Sequence, residues 1–174
     1  MSLIDDVVVN VEDVPDTVYE TGQWGCPFKV LTPSMRARGG SLGMSQNRLR
    51  PGNTTCPFHF HMREDEIFFI QSGRGVLRYG DELRVLRPGD TVSCPAGTKI
   101  AHQIANPFDE VLVYLAIGPH DPQEVCFYPD NGKTLVRGLG TVGFLSAAPY
   151  MEGEPDKPGI FELIEQARAA GTLD

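Results

Sequence analysis

The sequence contains no long run of apolar residues and no basic leader. In its 174 residues, no window approaches the roughly 18 uncharged apolar residues that a transmembrane helix requires. The opening segment MSLIDDVVVN has no lysine or arginine ahead of its short apolar run, whereas a secretory signal would have them. These two absences predict a protein that has no membrane partner and stays in the cytoplasm.

Basic residues and paired cysteines are also scarce. There are 15 Lys and Arg residues against 23 Asp and Glu residues, which gives a formal net charge of −8. Because nucleic-acid binding normally needs a basic surface, we exclude nucleic acid as a partner. The four cysteines, Cys26, Cys56, Cys94 and Cys126, show no CxxC spacing. In a chain without a secretory signal they are expected to be free thiols.

Turn-forming residues are abundant by contrast. The 19 glycines and 14 prolines fall between short apolar runs, which favours an all-β fold with many turns. From residue 56 to residue 117 these runs are regularly spaced, as in a β-sandwich or barrel. Tyr79–Glu82 lies between two of them and predicts a hairpin turn. The runs are FHFH, EIFFIQ, VLRY, LRVL, TVSC, KIAHQIAN and EVLVYLAI.

The two ends of the chain depart from this central pattern. Residues 1–40 are expected to form an N-terminal extension with covering strands, including a β-like run, VVVNV, at residues 7–11. Residues 41–145 are expected to form the barrel, and residues 146–174 a linker and a helix. The helix is predicted because apolar residues recur at helical spacing in IFELIEQARAAG, which ends at a glycine.

The stretch from Gly52 to Gly73 contains a possible metal site. His59 and His61 are two residues apart, so on an extended strand their imidazoles point to the same face. The polar residues 62–65 predict a turn, after which Glu66 opens the returning strand. Imidazole and carboxylate groups are the types that bind first-row divalent metals. The spacing therefore predicts that these three side chains close on one ion.

A third imidazole comes from a second cluster further along the chain. His102 lies in an alternating run, where it shares a face with Ile104 and Asn106. A strand paired beside the HxH strand would bring this imidazole to the same ion. Three imidazoles and one carboxylate leave open coordination positions, which a catalytic metal needs. The predicted metal ligands are His59, His61, Glu66 and His102.

Together the two clusters resemble the two sequence motifs of the cupin superfamily. The first motif, G-x5-H-x-H-x3,4-E-x6-G, reads from Gly52 to Gly73 with six residues instead of five after the first glycine. The second, G-x5-P-x-G-x2-H-x3-N, reads from Gly89 to Asn106 with four residues instead of two before His102. The resemblance implies a double-stranded β-helix, or jelly-roll barrel, to which the sequence adds a short C-terminal α-helix. It also implies one divalent ion, and Fe, Mn, Zn and Ni are all candidates.

Cupins commonly dimerise through apolar outer faces, so the resemblance implies a homodimer. If the metal ligands point inward, strand alternation turns a set of apolar side chains outward, where they need cover. This set is Phe58, Phe60, Ile67 and Phe69.

Alternatives remain for two of the ligands. Glu64 competes with Glu66 as the carboxylate, because both border the predicted turn; otherwise it is a solvated turn residue. His120 replaces His102 if the lengthened loop moves that histidine away; otherwise it is a surface residue.

Other polar side chains near the motifs are not assigned to the metal. By strand parity Cys56 points away from His59, and Cys94 is expected to be a buried thiol. Tyr114 is a possible general acid or pocket wall, although a half-buried aromatic is the simpler interpretation. Three arginines could bind a substrate carboxylate or phosphate, or merely solvate the outer face: Arg63, Arg78 and Arg84.

The function predicted from this resemblance is a metal-dependent enzyme that acts on a small-molecule metabolite. An oxygenase of the dioxygenase type is favoured, because Phe58, Phe68, Ile70 and Ile104 flank the site where a phosphosugar pocket would need lysine or arginine. The alternatives are a metal-dependent sugar or sugar-acid isomerase or lyase, and a non-catalytic, metal-containing module that binds a small ligand. Substrate and catalytic residues are left unassigned, because the same ligand set serves all these reactions.

Overall fold

A computed structural model describes residues 4–173, and within them the chain is built mainly of β-strands. The strands are β1 Thr17–Thr21, β2 Trp24–Val30, β3 Leu42–Leu49, β4 Phe60–His61, β5 Glu66–Ser72, β6 Gly75–Tyr79, β7 Glu82–Leu86, β8 Thr91–Cys94, β9 His102–Ala105, β10 Leu112–Pro119, β11 Val125–Tyr128, β12 Lys133–Val136 and β13 Thr141–Phe144. Two α-helices, α1 Pro33–Ala37 and α2 Ile160–Ala169, and a 3₁₀ helix, Arg137–Leu139, complete the elements.

The strands form the antiparallel sheets of a jelly-roll barrel. One sheet has the order β1-β2-β3-β10-β5-β8, a second β13-β12-β11-β4, and a third β7-β6-β9. Strands distant in sequence are therefore neighbours, as β10 is to both β3 and β5. The all-β prediction is confirmed. So is the hairpin, in which Tyr79 pairs with Glu82 across the β6–β7 turn.

The predicted strand at residues 7–11 is wrong. The chain forms turns there, with the Val7 and Val8 amides both donating to the Ile4 carbonyl at 3.1 Å. The Asn10 side chain then accepts a hydrogen bond from the Glu12 amide at 3.0 Å. Three consecutive valines favour a strand only where a partner strand is available. Local turn hydrogen bonds form here instead.

The core lies between the sheets and is made of alternating side chains from several strands. Leu49 of β3, Ile70 of β5 and Leu112 of β10 have no exposed surface. Phe68 and Ile104 pack into the same cluster. Because residues two apart share a face of a strand, Phe68 and Ile70 of β5 point inward. The core is thus continuous with the face that carries Glu66.

Of the four apolar side chains predicted to face outward, two are exposed and two are buried or partly buried. Ile67 and Phe69 point outward and are 41% and 39% exposed. Phe60 is partly buried and packs against Phe127, with ring centroids 5.5 Å apart. Phe58 is buried, and the Arg78 guanidinium lies over its ring at 3.5 Å.

The described residues divide into two compact units, residues 4–144 and residues 145–173. The second unit contains the C-terminal helix. This helix, α2, is where the apolar periodicity predicted a helix, and the chain turns at Gly171 with φ of +68°. Among residues 4–173, no helix combines the length and the apolar character needed to cross a bilayer.

Candidate metal centre

Three short strands and one isolated bridge bring the predicted ligands together. His61 ends β4, Glu66 begins β5 and His102 begins β9. His59 precedes β4 and forms an antiparallel bridge with His102. In that bridge the His59 amide donates to the His102 carbonyl at 3.1 Å, and the His102 amide donates back at 2.7 Å. The backbone pairing thus holds these two imidazoles on one face, with ring centroids 4.5 Å apart.

The four side chains converge through one atom each. Glu66 Oε2 lies 2.8 Å from His102 Nε2, 3.3 Å from His61 Nε2 and 3.8 Å from His59 Nε2. The two Nε2 atoms of His59 and His61 are 3.1 Å apart. Ligands held roughly 2.1 Å from a common first-row ion have similar mutual spacings. The donor set therefore fits a single divalent ion.

The other ring nitrogens leave Nε2 free to act as a ligand. His59 Nδ1 lies 2.8 Å from the Pro57 carbonyl oxygen. Because a carbonyl only accepts hydrogen bonds, this Nδ1 carries the proton and Nε2 has the lone pair. His61 Nδ1 faces two carboxylates, Glu124 Oε1 at 3.4 Å and Glu64 Oε2 at 3.6 Å, which favour a proton on that nitrogen. Partners of this kind on the outer ring nitrogen orient metal-binding histidines.

Burial and neighbouring charges separate the pKa values of these groups. Burial, and then repulsion from His102, lower the pKa of His59 to about 4. Burial also acts to lower the pKa of His61, but its hydrogen bond to Glu66 and the nearby carboxylates outweigh it and raise that pKa. Burial acts to raise the pKa of Glu66, yet hydrogen bonds to His102 and His61 hold it well below its usual range. Near neutral pH, His59 and Glu66 are therefore ready to bind a cation.

Glu64 is not the solvated turn residue that the sequence suggested. It is only 5% exposed and forms two hydrogen bonds with Arg137, one of them between Glu64 Oε2 and Arg137 Nη2 at 3.0 Å. It also accepts a hydrogen bond from the Asp121 amide at 2.6 Å. Glu64 thus faces the outer side of His61, and Glu66 faces the inner side. The two carboxylates, which the sequence left as competitors, face different nitrogens of one ring.

Several residues around the centre were missed because they lie far away in the sequence. Glu124 has no exposed surface, and Arg137 pairs with Glu64 across 73 positions. Cys126 belongs to a possible three-ligand group with His59 and His61. Burial raises the pKa of its thiol to about 12, so it is a poor thiolate donor at neutral pH. Local spacing carries no signal for any of these residues.

The candidate ligand group opens onto a cavity of about 260 Å³. His59, Glu66 and His102 form one wall, and the remaining lining is mostly apolar. Among residues 4–173, no lysine or arginine lines it. Phe28, Phe68, Ile104, Tyr114 and Ala116 supply the apolar wall, and Asn47, Thr55 and Gln103 supply polar groups.

Two expectations about neighbouring side chains were wrong. Cys56 does not point away from His59: its Sγ atom lies 3.7 Å from His59 Nδ1 and it lines the same cavity. The parity argument fails because β4 covers only Phe60–His61, so Cys56 is outside any continuous strand. Tyr114 is not half-buried but 2% exposed, and its hydroxyl donates to Thr55 Oγ1 at 3.0 Å. It is a wall of the cavity.

The arginines and His120 lie away from the cavity. Arg63 pairs with Asp121 at 2.7 Å. Arg78 makes two hydrogen bonds to Asp130 at 2.7 and 3.0 Å. Arg84 lines a different groove. The side chain of His120 is 62% exposed, as expected for a surface residue. His102 lies beside Glu66, so His120 is not needed as a replacement ligand.

Comparisons with known proteins agree with this architecture. Residues 47–118 match the sequence family described as the cupin domain. The comparison with curated proteins found no match.

Several solved structures share the fold. A putative sugar phosphate isomerase from Acidithiobacillus ferrooxidans is 24% identical, with 80% of this chain and 92% of that chain covered and a TM-score of 0.66. A sugar phosphate isomerase of the cupin superfamily from Silicibacter pomeroyi is 23% identical, with 86% of this chain and 96% of that chain covered and a TM-score of 0.69. A predicted oxalate decarboxylase from Thermotoga maritima is 22% identical, with 64% of this chain and 97% of that chain covered and a TM-score of 0.57. At such identities the likeness describes the fold alone.

Proposed function

Since the chain carries a cupin domain across residues 47–118, we propose that it is a metal-dependent enzyme acting on a small molecule. The observation that carries the proposal is the position of the donor atoms. Four buried or partly buried side chains turn one atom each toward a common point beside a cavity of about 260 Å³. A purely structural ion would need no cavity beside it.

The proposed ligands are His59, His61, Glu66 and His102, which would hold one divalent ion. Such an ion supplies Lewis-acid or redox chemistry at the cavity wall. The chain's own residues bind the substrate and exclude water. Phe68, Ile104 and Tyr114 provide the apolar surface, and the amide and hydroxyl groups of Asn47, Gln103 and Thr55 offer hydrogen bonds.

The lining favours a substrate with an apolar body and without a phosphate group. A phosphate dianion transferred into this cavity would lose its hydration, and the lining formed by residues 4–173 offers no lysine or arginine in return. A compact molecule that presents a carboxylate, hydroxyl or thiol to the metal fits better. We therefore favour oxygenase chemistry of the dioxygenase type, in which the apolar wall shields reactive intermediates from water.

Isomerisation is the second candidate. It is supported by the names of two proteins of similar fold, both called sugar phosphate isomerases. Because the described residues contribute no lysine or arginine to this cavity, the sugar or sugar acid in this alternative would be unphosphorylated. A non-catalytic module that binds a metal and a small ligand is the third outcome, in which ligand binding occurs without turnover.

Elemental analysis and turnover assays test the proposal in sequence. The purified protein, loaded separately with Fe(II), Mn(II), Zn(II) and Ni(II), is expected to bind one ion per chain. Oxygen uptake is then measured over catechols, thiols and keto acids, and aldose–ketose conversion is measured without oxygen. Oxygen consumption with product formation supports the oxygenase; conversion of an unphosphorylated sugar supports the isomerase. Tight ligand binding without turnover in either assay would contradict both enzyme candidates and favour the non-catalytic binding module.

Histidine variants provide matched controls for the metal centre. His61→Ala and His102→Ala are expected to lose stoichiometric metal, because each removes one of four ligands. His120→Ala is expected to keep it, since this side chain is exposed and lies outside the ligand group. Metal content is measured after dialysis against a dilute chelator. An unchanged metal content in His61→Ala would disprove the assigned site.

The proposal includes a cytoplasmic homodimer. The four cysteines are free thiols, which suits a reducing compartment. The outward side chains of Ile67 and Phe69 offer an apolar surface for a second copy.

A further inference from the structure

Glu124 is a fully buried carboxylate that the proposed metal chemistry does not use. It lies between β10 and β11 and has no exposed surface. Burying a carboxylate costs free energy unless hydrogen bonds or an ion pair compensate for the lost hydration. Its Oε1 accepts a hydrogen bond from the Met62 amide at 2.8 Å, and its Oε2 accepts one from the Arg63 amide at 2.9 Å. Both amides belong to the turn that directly follows His61.

This turn connects two of the proposed metal ligands. His61 precedes it and Glu66 follows it, so its conformation sets the position of one ligand relative to the other. Glu124 holds the first half of the turn. Glu64, in the second half, is held by Arg137 and by the Asp121 amide. The loop is thereby fixed from both sides by residues of the β10–β11 connection and the 3₁₀ helix.

The same two carboxylates also face the imidazole itself. His61 Nδ1 is buried and, within residues 4–173, has no hydrogen bond of regular geometry. Its nearest acceptors are Glu124 Oε1 at 3.4 Å and Glu64 Oε2 at 3.6 Å. Negative charge at this position attracts the Nδ1 proton and leaves the lone pair on Nε2. The ring is thus aligned between Glu66 on one side and the carboxylate pair on the other.

We propose that Glu124, supported by the Glu64–Arg137 ion pair, is a positioning residue for the metal centre. It fixes the turn between His61 and Glu66 and orients the His61 imidazole toward the ion. The inference rests on the proposed metal-dependent function. In this proposal Glu64 and Glu124 act on the Nδ1 side of His61 and do not bind the ion themselves.

A second cation between these carboxylates is the competing interpretation. The ligand atoms of His61, Glu64 and Glu124 all lie within 4.8 Å of one another. However, both oxygens of Glu64 are engaged by Arg137. Both oxygens of Glu124 are engaged by backbone amides. A cation here would also lie beside the Arg137 guanidinium, so positioning accounts better for the arrangement.

Cobalt binding by Glu124→Gln tests the proposal. The amide keeps the shape of the side chain and one acceptor oxygen, but it loses the negative charge and sets its NH2 group against a backbone N–H. Calorimetric titration of the full chain with Co²⁺ is expected to give an affinity about 10- to 100-fold weaker than that of the wild type. The visible absorption spectrum of the bound Co²⁺ is expected to change, because the His61 ring is no longer held in place.

The matched control is Glu110→Gln, the same substitution at an exposed carboxylate that pairs with Arg74. It is expected to leave affinity and spectrum unchanged. If Glu124→Gln lowers the melting temperature of the metal-free protein but keeps wild-type affinity and spectrum, the role is structural and the inference is overturned. Glu124→Ala is the second variant, and wild-type Co²⁺ binding by it would also overturn the inference.

A wild type that binds two Co²⁺ ions per chain, falling to one in Glu124→Gln, would favour the second cation site. Absence of Co²⁺ binding by the wild type would instead disprove the proposed function.

Discussion

At the scale of single residues, the His61 imidazole is the centre of the site's electrostatics. Its two nitrogens face opposite carboxylates, with Glu66 3.3 Å from Nε2 and Glu64 3.6 Å from Nδ1. The Nδ1 atom of His59 faces the Pro57 carbonyl oxygen and the Cys56 thiol instead of a carboxylate, and the ring is buried. Two histidines of one HxH motif therefore have pKa values that are shifted in opposite directions, one by carboxylates and one by burial.

This difference predicts how metal affinity depends on pH. The pKa of His59 is lowered to about 4, so no proton on this ring competes with a cation near neutral pH. The pKa of His61 is raised above 6.5, so below that raised pKa a proton must leave before Nε2 can bind. Affinity for Co²⁺ is expected to fall about tenfold per pH unit below the raised pKa, because one proton is displaced. Titrations from pH 5.5 to 8.5 measure this, and an affinity independent of pH down to 5.5 would contradict it.

At the scale of elements, the motif glycines allow the strands to turn tightly. Gly73, between β5 and β6, has φ of +73°, and a Cβ atom there would lie 2.2 Å from the Val111 carbonyl oxygen. Gly89 also has positive φ, at +89°, but nothing lies within 4 Å of the corresponding Cβ position. The first glycine is required by conformation and by close packing, and the second by conformation alone.

Alanine substitutions separate these two effects. Gly89→Ala is expected to cost about 1–2 kcal/mol of unfolding free energy, the usual cost of a left-handed conformation for an L-residue. Gly73→Ala is expected to cost more, by about 1–3 kcal/mol, because the backbone at Val111 and Leu112 must also move. Urea unfolding of both variants measures the difference. Equal losses in the two variants would show that the contact with Val111 relaxes freely.

At the scale of the whole molecule, the barrel leaves an apolar outer surface on β5. Ile67 and Phe69 are 41% and 39% exposed, and across the sheet they pair with Ile117 and Leu115 of β10. Side chains of this size on one sheet face gain free energy when a partner covers them. This surface is the part of the barrel that the proposed dimer would bury.

Light scattering during gel filtration tests the dimer. The wild type is expected to have twice the mass of one chain, and Phe69→Glu is expected to shift it toward the monomer, because dimerisation would bury the new charge. Val142→Glu, at an exposed apolar residue of β13, is the control and is expected to stay dimeric. A monomeric wild type at micromolar concentration would remove the dimer from the proposal.

The sequence by itself determined most of the strand pattern and predicted the four side chains that the structure brings together as candidate metal ligands. Periodicity of two places His59 with His61, and short runs between glycines and prolines mark most strands. These signals are local, because a side chain's direction along a strand depends on its immediate neighbours. The VVVNV run shows the limit: despite its strand propensity, it pairs with no strand of the described residues and forms local turns.

Only the tertiary structure decided the surroundings of that centre. Glu124 reaches the turn after His61 from 62 positions away, and Arg137 reaches Glu64 from 73. Cys56 enters the cavity because the chain before β4 is not a continuous strand. Such contacts depend on which strands the barrel places side by side, and no spacing within a single segment encodes that order. The lining of the cavity, on which the proposed substrate class rests, is likewise assembled from six strands and the loop before β4.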